Sequence, residues 1–208
     1  MNKNKTLLTI ALVFVLLLGG AYVLYNRLAQ DAAPDQLSVQ GSVDEQTSQQ
    51  PNEPQQDTSH PEEESTEPEK VLAPDFTVYD PEGNAVHLSD FIGKPVVLNF
   101  WASWCGPCKM EMPDFDKAYA ELGEDVHFLM VNMTSRREPL ESAASFIKEQ
   151  GYSFPVYYDT DADAAMTYGV YSLPTTLFID AEGYGIAQAT GAINAEILQR
   201  GIDMILPE

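Results

Sequence analysis

The sequence predicts an α/β protein, a sandwich built on a mixed central sheet. Three observations carry that expectation. From Val71 to the end, short apolar strand patterns alternate with helical ones. The series closes on a hairpin and a helix, which adds antiparallel strands to an otherwise parallel set. Before Val71 the composition changes abruptly, so the folding unit is expected over residues 71–208.

The elements can be justified in order. "MNKNK" is basic, and Thr6–Tyr25 then runs 20 residues without a charge. A helix of that length rises about 30 Å, the thickness of a bilayer core. Lys3 and Lys5 keep residues 1–5 cytoplasmic by the positive-inside rule, residues 6–25 form a single transmembrane helix, and everything after Arg27 lies outside. A cleaved signal peptide is the alternative. Its apolar core is ordinarily about 7–15 residues, shorter than this one, although "GGA" at 19–21 offers small residues for cleavage. A lipoprotein anchor needs a cysteine at the end of the apolar run, where this chain has none.

Residues 26–70 read as an acidic linker. Positions 31–69 hold 11 acids and no Lys or Arg, with abundant Gln, Ser and Pro. Such a segment buries too little apolar surface to offset its ordering entropy, so disorder is expected and a passive spacer is the preferred role. As a flexible coil it averages roughly 35 Å end to end.

"PDFTVYDPEGNAVHLSDF" (74–91) gives a strand, a turn at Pro81–Asn84, a second strand and a short turn, an N-terminal β-hairpin extension to the sandwich. "PVVLNFW" (95–101) is apolar apart from Asn99 and suits a buried central strand. Residues 106–122 place Met112, Phe115, Ala118, Tyr119 and Leu122 at helical spacing, with a kink expected at Pro113 and a stop at Gly123. "VHFLMVNM" (126–133) is a further strand. Residues 138–151 form a helix with Pro139 at its start, a stripe of Leu140, Ala144 and Ile147, and Gly151 at its end. "FPVYYD" (154–159) is a strand, and 161–168 a short helix before Gly169. "TTLFID" (175–180) and "GIAQAT" (185–190) make a hairpin. "NAEILQRGIDMIL" (194–206) is a last helix capped by Asn194 and buried through Ile197, Leu198, Ile202 and Ile205.

The formal net charge of -21 argues against nucleic acid as a partner, since phosphate would be repelled. Function is carried instead by "NFWASWCGPCK" (99–109), which contains both cysteines of the chain, Cys105 and Cys108. As a structural staple the pair closes a tiny loop, for which the chain-entropy model credits only about 2 kcal/mol. A zinc site needs four ligands, and His60, His87 and His127 stand at no ligand spacing to the pair or to one another. A c-type haem needs His after the second cysteine, where this chain has Lys109. A redox pair fits the position. Cys105 follows a strand and opens a helix, where unpaired N–H groups and the positive end of the dipole favour thiolate. Cys108, one turn on, can resolve the mixed disulfide that Cys105 makes with a client.

"FWASWCGPCKMEMP" with "SLPTTLFIDAEG" resembles the thioredoxin superfamily, most closely its TlpA/ResA-like branch of membrane-anchored extracytoplasmic thiol–disulfide oxidoreductases. The resemblance covers about residues 72–206 and implies a thioredoxin-like fold. It implies Cys105, Cys108 and Glu111 as the catalytic residues, Glu111 matching an acid that this branch keeps near the cysteines. Trp104, Gly106, Pro107, Leu173 and Pro174 are implied as the surface that meets the client. Trp104 matches the aromatic that shields the sulfurs, and Pro174 a cis-proline whose Leu173 backbone pairs with an extended strand. Asn99 stands where thioredoxin has a buried, titrating Asp. For Glu111 the competing reading is an exposed helix charge, and for Pro174 an ordinary loop proline. Met112, Met130 and Met133 read as core.

The implied activity is reduction of extracytoplasmic protein disulfides, with no cofactor beyond the cysteine pair, by a monomer recharged by a membrane electron donor of the DsbD/CcdA type. Gly-Pro between the cysteines resembles strongly reducing thioredoxins, near about -270 mV. Clients implied are apocytochrome c, in cytochrome c maturation, or an extracellular methionine sulfoxide reductase. The alternatives are a disulfide-forming oxidase and a thiol peroxidase. Ala102, where a peroxidase has Thr, counts against the second.

Overall fold

The structure is a computed structural model that describes residues 37–39, 70–134 and 137–207. The expected anchor at 6–25 and nearly all of the linker lie outside the described residues. Among those described, no helix is long and apolar enough to cross a membrane.

The sheet contains β1 (Ser38–Val39), β2 (Val71–Leu72), β3 (Thr77–Tyr79), β4 (Ala85–His87), β5 (Val96–Trp101), β6 (His127–Asn132), β7 (Val156–Tyr158), β8 (Thr175–Ile179) and β9 (Tyr184–Thr190). The helices are α1 (Gly106–Leu122), α2 (Leu140–Gln150), α3 (Asp163–Thr167) and α4 (Ala195–Ile205). The strand order is β1-β9-β8-β5-β6-β7-β3-β4, with β2 also on β9. β5, β6 and β7 are parallel, and β8, β9, β3 and β4 join them antiparallel. The sheet is therefore mixed, as the closing hairpin implies.

Every residue of β5 is buried, so its alternation feeds two cores. Val97 and Trp101 point to one face with Met112 and Phe115 of α1, Ala143 of α2 and the Ile197, Leu198, Ile202 and Ile205 stripe of α4. Val96, Leu98 and Phe100 point to the other, with Phe76, Val78, Leu88 and Ala164. Asn194 caps α4, its side-chain oxygen accepting from the Ile197 N–H at 2.9 Å. The extension at 74–91 is a hairpin, Thr77 paired with His87, whose turn is held by Asp80 accepting from the Glu82 and Asn84 N–H groups.

α1 runs as one helix through Pro113. Two expectations are modified. In α2 the buried position is Ala143, while Leu140 is 42% exposed. Pro139 is the N-cap, so Leu140 falls in a first turn that overhangs the core. Finally, Ser38–Val39, placed by sequence in the linker, adds an edge strand to β9. Two residues carry too little pattern to be read as a strand, and only the waiting β9 edge gives them one.

Candidate active site

The turn between β5 and α1 presents the cysteines. The Cys105 N–H donates to the Ala102 carbonyl at 3.1 Å, and Cys105 becomes the N-cap of α1. Its Sγ accepts from the Cys108 N–H at 3.2 Å, so the sulfur occupies the position of a capping oxygen. Gly106 and Pro107 form the first two helical positions, where a missing proline N–H costs nothing. The Cα atoms of Cys105 and Cys108 are 5.3 Å apart and the sulfurs are bonded. Cys105 is 4% exposed and Cys108 fully buried, an asymmetry that leaves the first sulfur nearer the surface.

Cys105 opens onto a cavity of about 430 Å³. Trp104, Gly106 and Pro107 form one wall, Met133 and Thr134 follow from the end of β6, and Val170, Tyr171 and Leu173 close the far side. Tyr171 and Trp104 are 97% and 47% exposed, an unusual amount of aromatic surface beside a sulfur. The Arg137 guanidinium lies 4.4 Å from the centre of the Trp104 ring. The Leu173–Pro174 peptide is cis. Pro174 is buried and its carbonyl accepts from the Gly191 N–H at 2.8 Å, tying this loop to the end of β9. Of the residues expected at the site, Trp104, Cys105, Gly106, Pro107 and Leu173 line the cavity, while Cys108, Glu111 and Pro174 are buried and do not.

Glu111 is not an exposed helix charge, being 2% exposed. Its Oε1 accepts from Asn99 Nδ2 at 2.9 Å and its Oε2 from the Ile193 N–H at 3.0 Å. Burial pushes its carboxyl up to about 7, against the lowering effect of these two bonds. Asn99 gives its other amide hydrogen to Thr176 Oγ1 at 3.0 Å and leaves Oδ1 without a partner. Glu111, one turn after Cys108 on α1, is thus the titrating group in the place where Asn99 cannot titrate.

Two buried carboxylates at this end of the sheet escape sequence reasoning. Glu138 is 1% exposed. It accepts from the Ser103 N–H at 2.7 Å, the Ser103 hydroxyl at 2.9 Å and Asn132 Nδ2 at 2.9 Å. It therefore holds the turn immediately before Trp104 and Cys105. In the sequence nothing marks Glu138 beyond its place before Pro139 at a helix start. Asp159 lines the cavity and accepts from the Ala164 and Ala165 N–H groups at 3.2 and 2.8 Å. Burial raises its pKa. Among the described residues, no cluster of three or more His, Cys, Asp or Glu is placed to hold a metal.

Residues 70–184 match the AhpC/TSA family. The chain belongs to that family. Among its relatives are the thiol-disulfide oxidoreductases ResA of Halalkalibacterium halodurans and Bacillus subtilis. The first is 34% identical over 137 residues, covering 65% of this chain and 76% of the relative. The second is 35% identical over 136 residues, covering 65% and 74%. Solved structures agree. StoA from Bacillus subtilis superposes with a TM-score of 0.55 at 27% identity, covering 64% of this chain and 98% of that one. The pneumococcal exposed lipoprotein thioredoxin from Streptococcus pneumoniae gives 0.55 at 34% identity, covering 62% and 99%.

As a member of the AhpC/TSA family with ResA-like relatives, this chain has a thioredoxin-like fold and is a thiol–disulfide oxidoreductase whose reactive element is a Cys-X-X-Cys pair. The family acts on disulfide-containing client proteins and uses the cysteine pair without a separate cofactor.

Proposed function

We propose that this chain is a membrane-anchored reductase of extracytoplasmic protein disulfides. Residues 6–25 anchor it in the cell membrane with residues 1–5 in the cytoplasm, and residues 71–208 work outside. The observation that carries the catalytic assignment is the capping sulfur: Cys105 Sγ accepts from the Cys108 N–H in the first turn of α1 and lines a cavity shared with Trp104, Pro107 and Leu173. That location stabilises a thiolate.

In the reduced protein, the Cys105 thiolate attacks one sulfur of the client disulfide and expels the other as a thiolate. The Cys108 thiolate then attacks Cys105 Sγ, releasing the second client thiolate and forming the Cys105–Cys108 bond. Two electrons pass to the client, and a membrane donor of the DsbD/CcdA type returns them. Cys108 is buried, so its proton needs an acceptor. Glu111 serves as that general base when ionised, directly or through one water, and its value near 7 places the change of state at working pH. The client lies as an extended segment against Leu173 and the exposed rings of Trp104 and Tyr171. Apocytochrome c, with its haem-binding cysteines, and an extracellular methionine sulfoxide reductase are the clients this chemistry suits.

A reduction potential near that of reducing thioredoxins, about -270 mV, is expected. A value near the oxidising end, about -120 mV, would identify a disulfide-forming oxidase instead. Consumption of peroxide at rates matching disulfide exchange would identify a peroxidase. Cys108→Ser should trap clients as mixed disulfides through Cys105, and at mildly acidic pH Cys105 of the reduced protein should alkylate well before Cys108. Equal alkylation of both thiols would overturn the roles. Glu111→Gln should keep the first attack, slow resolution so that mixed disulfides accumulate, and flatten the pH dependence of exchange.

A further inference from the structure

β1 and β2 lie end to end on one edge of the sheet. Both run antiparallel to β9, with Ser38 opposite Gln188, Val39 opposite Ala187, Val71 opposite Gly185 and Leu72 opposite Tyr184. Together they form one edge strand interrupted opposite Ile186. Val39 and Val71 flank that gap.

Each side of the gap is held independently. Leu37 packs against the core cluster that contains α1 and α4. On the other side, Lys70 Nζ lies 3.3 Å from Asp180 and 5.6 Å from the centre of the Tyr184 ring, and the Ala73 N–H donates to the Gly183 carbonyl at 2.9 Å. β1 and β2 run in the same direction along β9.

We propose that Leu37–Val39 is a strap: it brings the attachment point of the folded unit forward from Lys70 to Leu37, so that only residues 26–36 separate that unit from the apolar segment. The strap stands on the pairing alone, while its consequence rests on the membrane-anchor reading of residues 6–25. At about 3.5 Å per extended residue, residues 26–36 reach at most roughly 40 Å, whereas 26–69 unstrapped reach roughly 150 Å. The strap therefore shortens the covalent tether between the apolar segment and the folded unit about four-fold. A shorter tether raises the effective concentration of the Cys105–Cys108 pair toward a membrane-embedded electron donor and cuts its access to distant clients.

The test uses the full chain in phosphatidylcholine vesicles, in a Cys105→Ser/Cys108→Ser background so that introduced thiols stand alone. Ser38→Cys with Gln188→Cys should oxidise nearly completely to an intramolecular disulfide. Ser38→Cys with Glu82→Cys, at the opposite edge of the sheet, should not. Crosslinking no better than this control overturns the strap. For the reach, a dye on Glu82→Cys should transfer energy to head-group acceptors several-fold more efficiently in the strapped chain than after Leu37→Asp/Val39→Pro. Equal transfer with good crosslinking overturns the short leash. A chain that crosslinks but does not float with the vesicles refutes the anchor and upholds the strap.

Discussion

Burial holds the Glu111 carboxyl near 7 because Asn99 and the Ile193 N–H replace only part of the lost hydration. In the unfolded chain the same group titrates near 4.5. The folded state therefore binds the proton more tightly, and the sign of the linkage follows. The stabilising contribution is complete below about 4.5 and is lost as pH rises through about 7. Glu111→Gln removes that loss. Relative to the parent, the variant should gain stability progressively between those two values, by a few kcal/mol at most. Denaturant midpoints at about pH 5 and about pH 8 check it, and a difference that does not change with pH would place the carboxyl in water instead.

Glu138 accepts from three neutral donors. Glu138→Ala strands the Ser103 N–H, the Ser103 hydroxyl and the Asn132 amide in the interior, and should cost about 2–4 kcal/mol. Glu138→Gln keeps all three partners if the Ser103 hydroxyl turns from donor to acceptor, so its unfolding midpoint should stay close to the parent's. If Gln costs as much as Ala, the charge itself is what the turn requires.

Among the elements, α4 shows what a local pattern can and cannot say. Its apolar stripe and its Asn194 cap are legible because both repeat at helical spacing within one segment. Gly201, on the same helix, is not, because its reason lies on another strand. A Cβ there would run into the ring of Phe178 in β8, itself wholly buried. Gly201→Ala should therefore destabilise by about 1–3 kcal/mol through overpacking, although alanine is the better helix former. A rise in melting temperature would show that α4 stands further from the sheet than it does here. The same division runs through the site. Cys105, Cys108 and the cap they form lie within three positions of one another, and so are readable. Glu138 to Ser103, Asn99 to Thr176 and Glu111 to Ile193 join residues 35, 77 and 82 positions apart. No periodicity encodes such pairings. Leu140 was misread for a related reason: the stripe fixes a helix, but the sheet beneath selects Ala143 as the buried face.

For the whole molecule, the acidic balance and the apolar first segment set the remaining expectation. If residues 6–25 are the anchor proposed above and residues 71–208 work outside, a protease added to intact protoplasts should free a soluble, active domain. The strap makes the site of cleavage matter. A cut within 26–36 severs the only covalent connection outside the folded unit, so release is immediate. A cut within 40–69 leaves the domain attached to its anchor through β1 alone. Two paired residues and the packing of Leu37 contribute on the order of 1 kcal/mol per hydrogen bond, too little to hold two separate chains for long. Nicked protein should therefore leave the membrane with a short lag that mild denaturant abolishes, and the Ser38→Cys/Gln188→Cys crosslink in the cysteine-free background should block its release entirely. Recovering the domain in the medium before any protease is added, with its first residue near Tyr22, would mean that the apolar segment is a cleaved signal and that nothing holds the enzyme to the membrane.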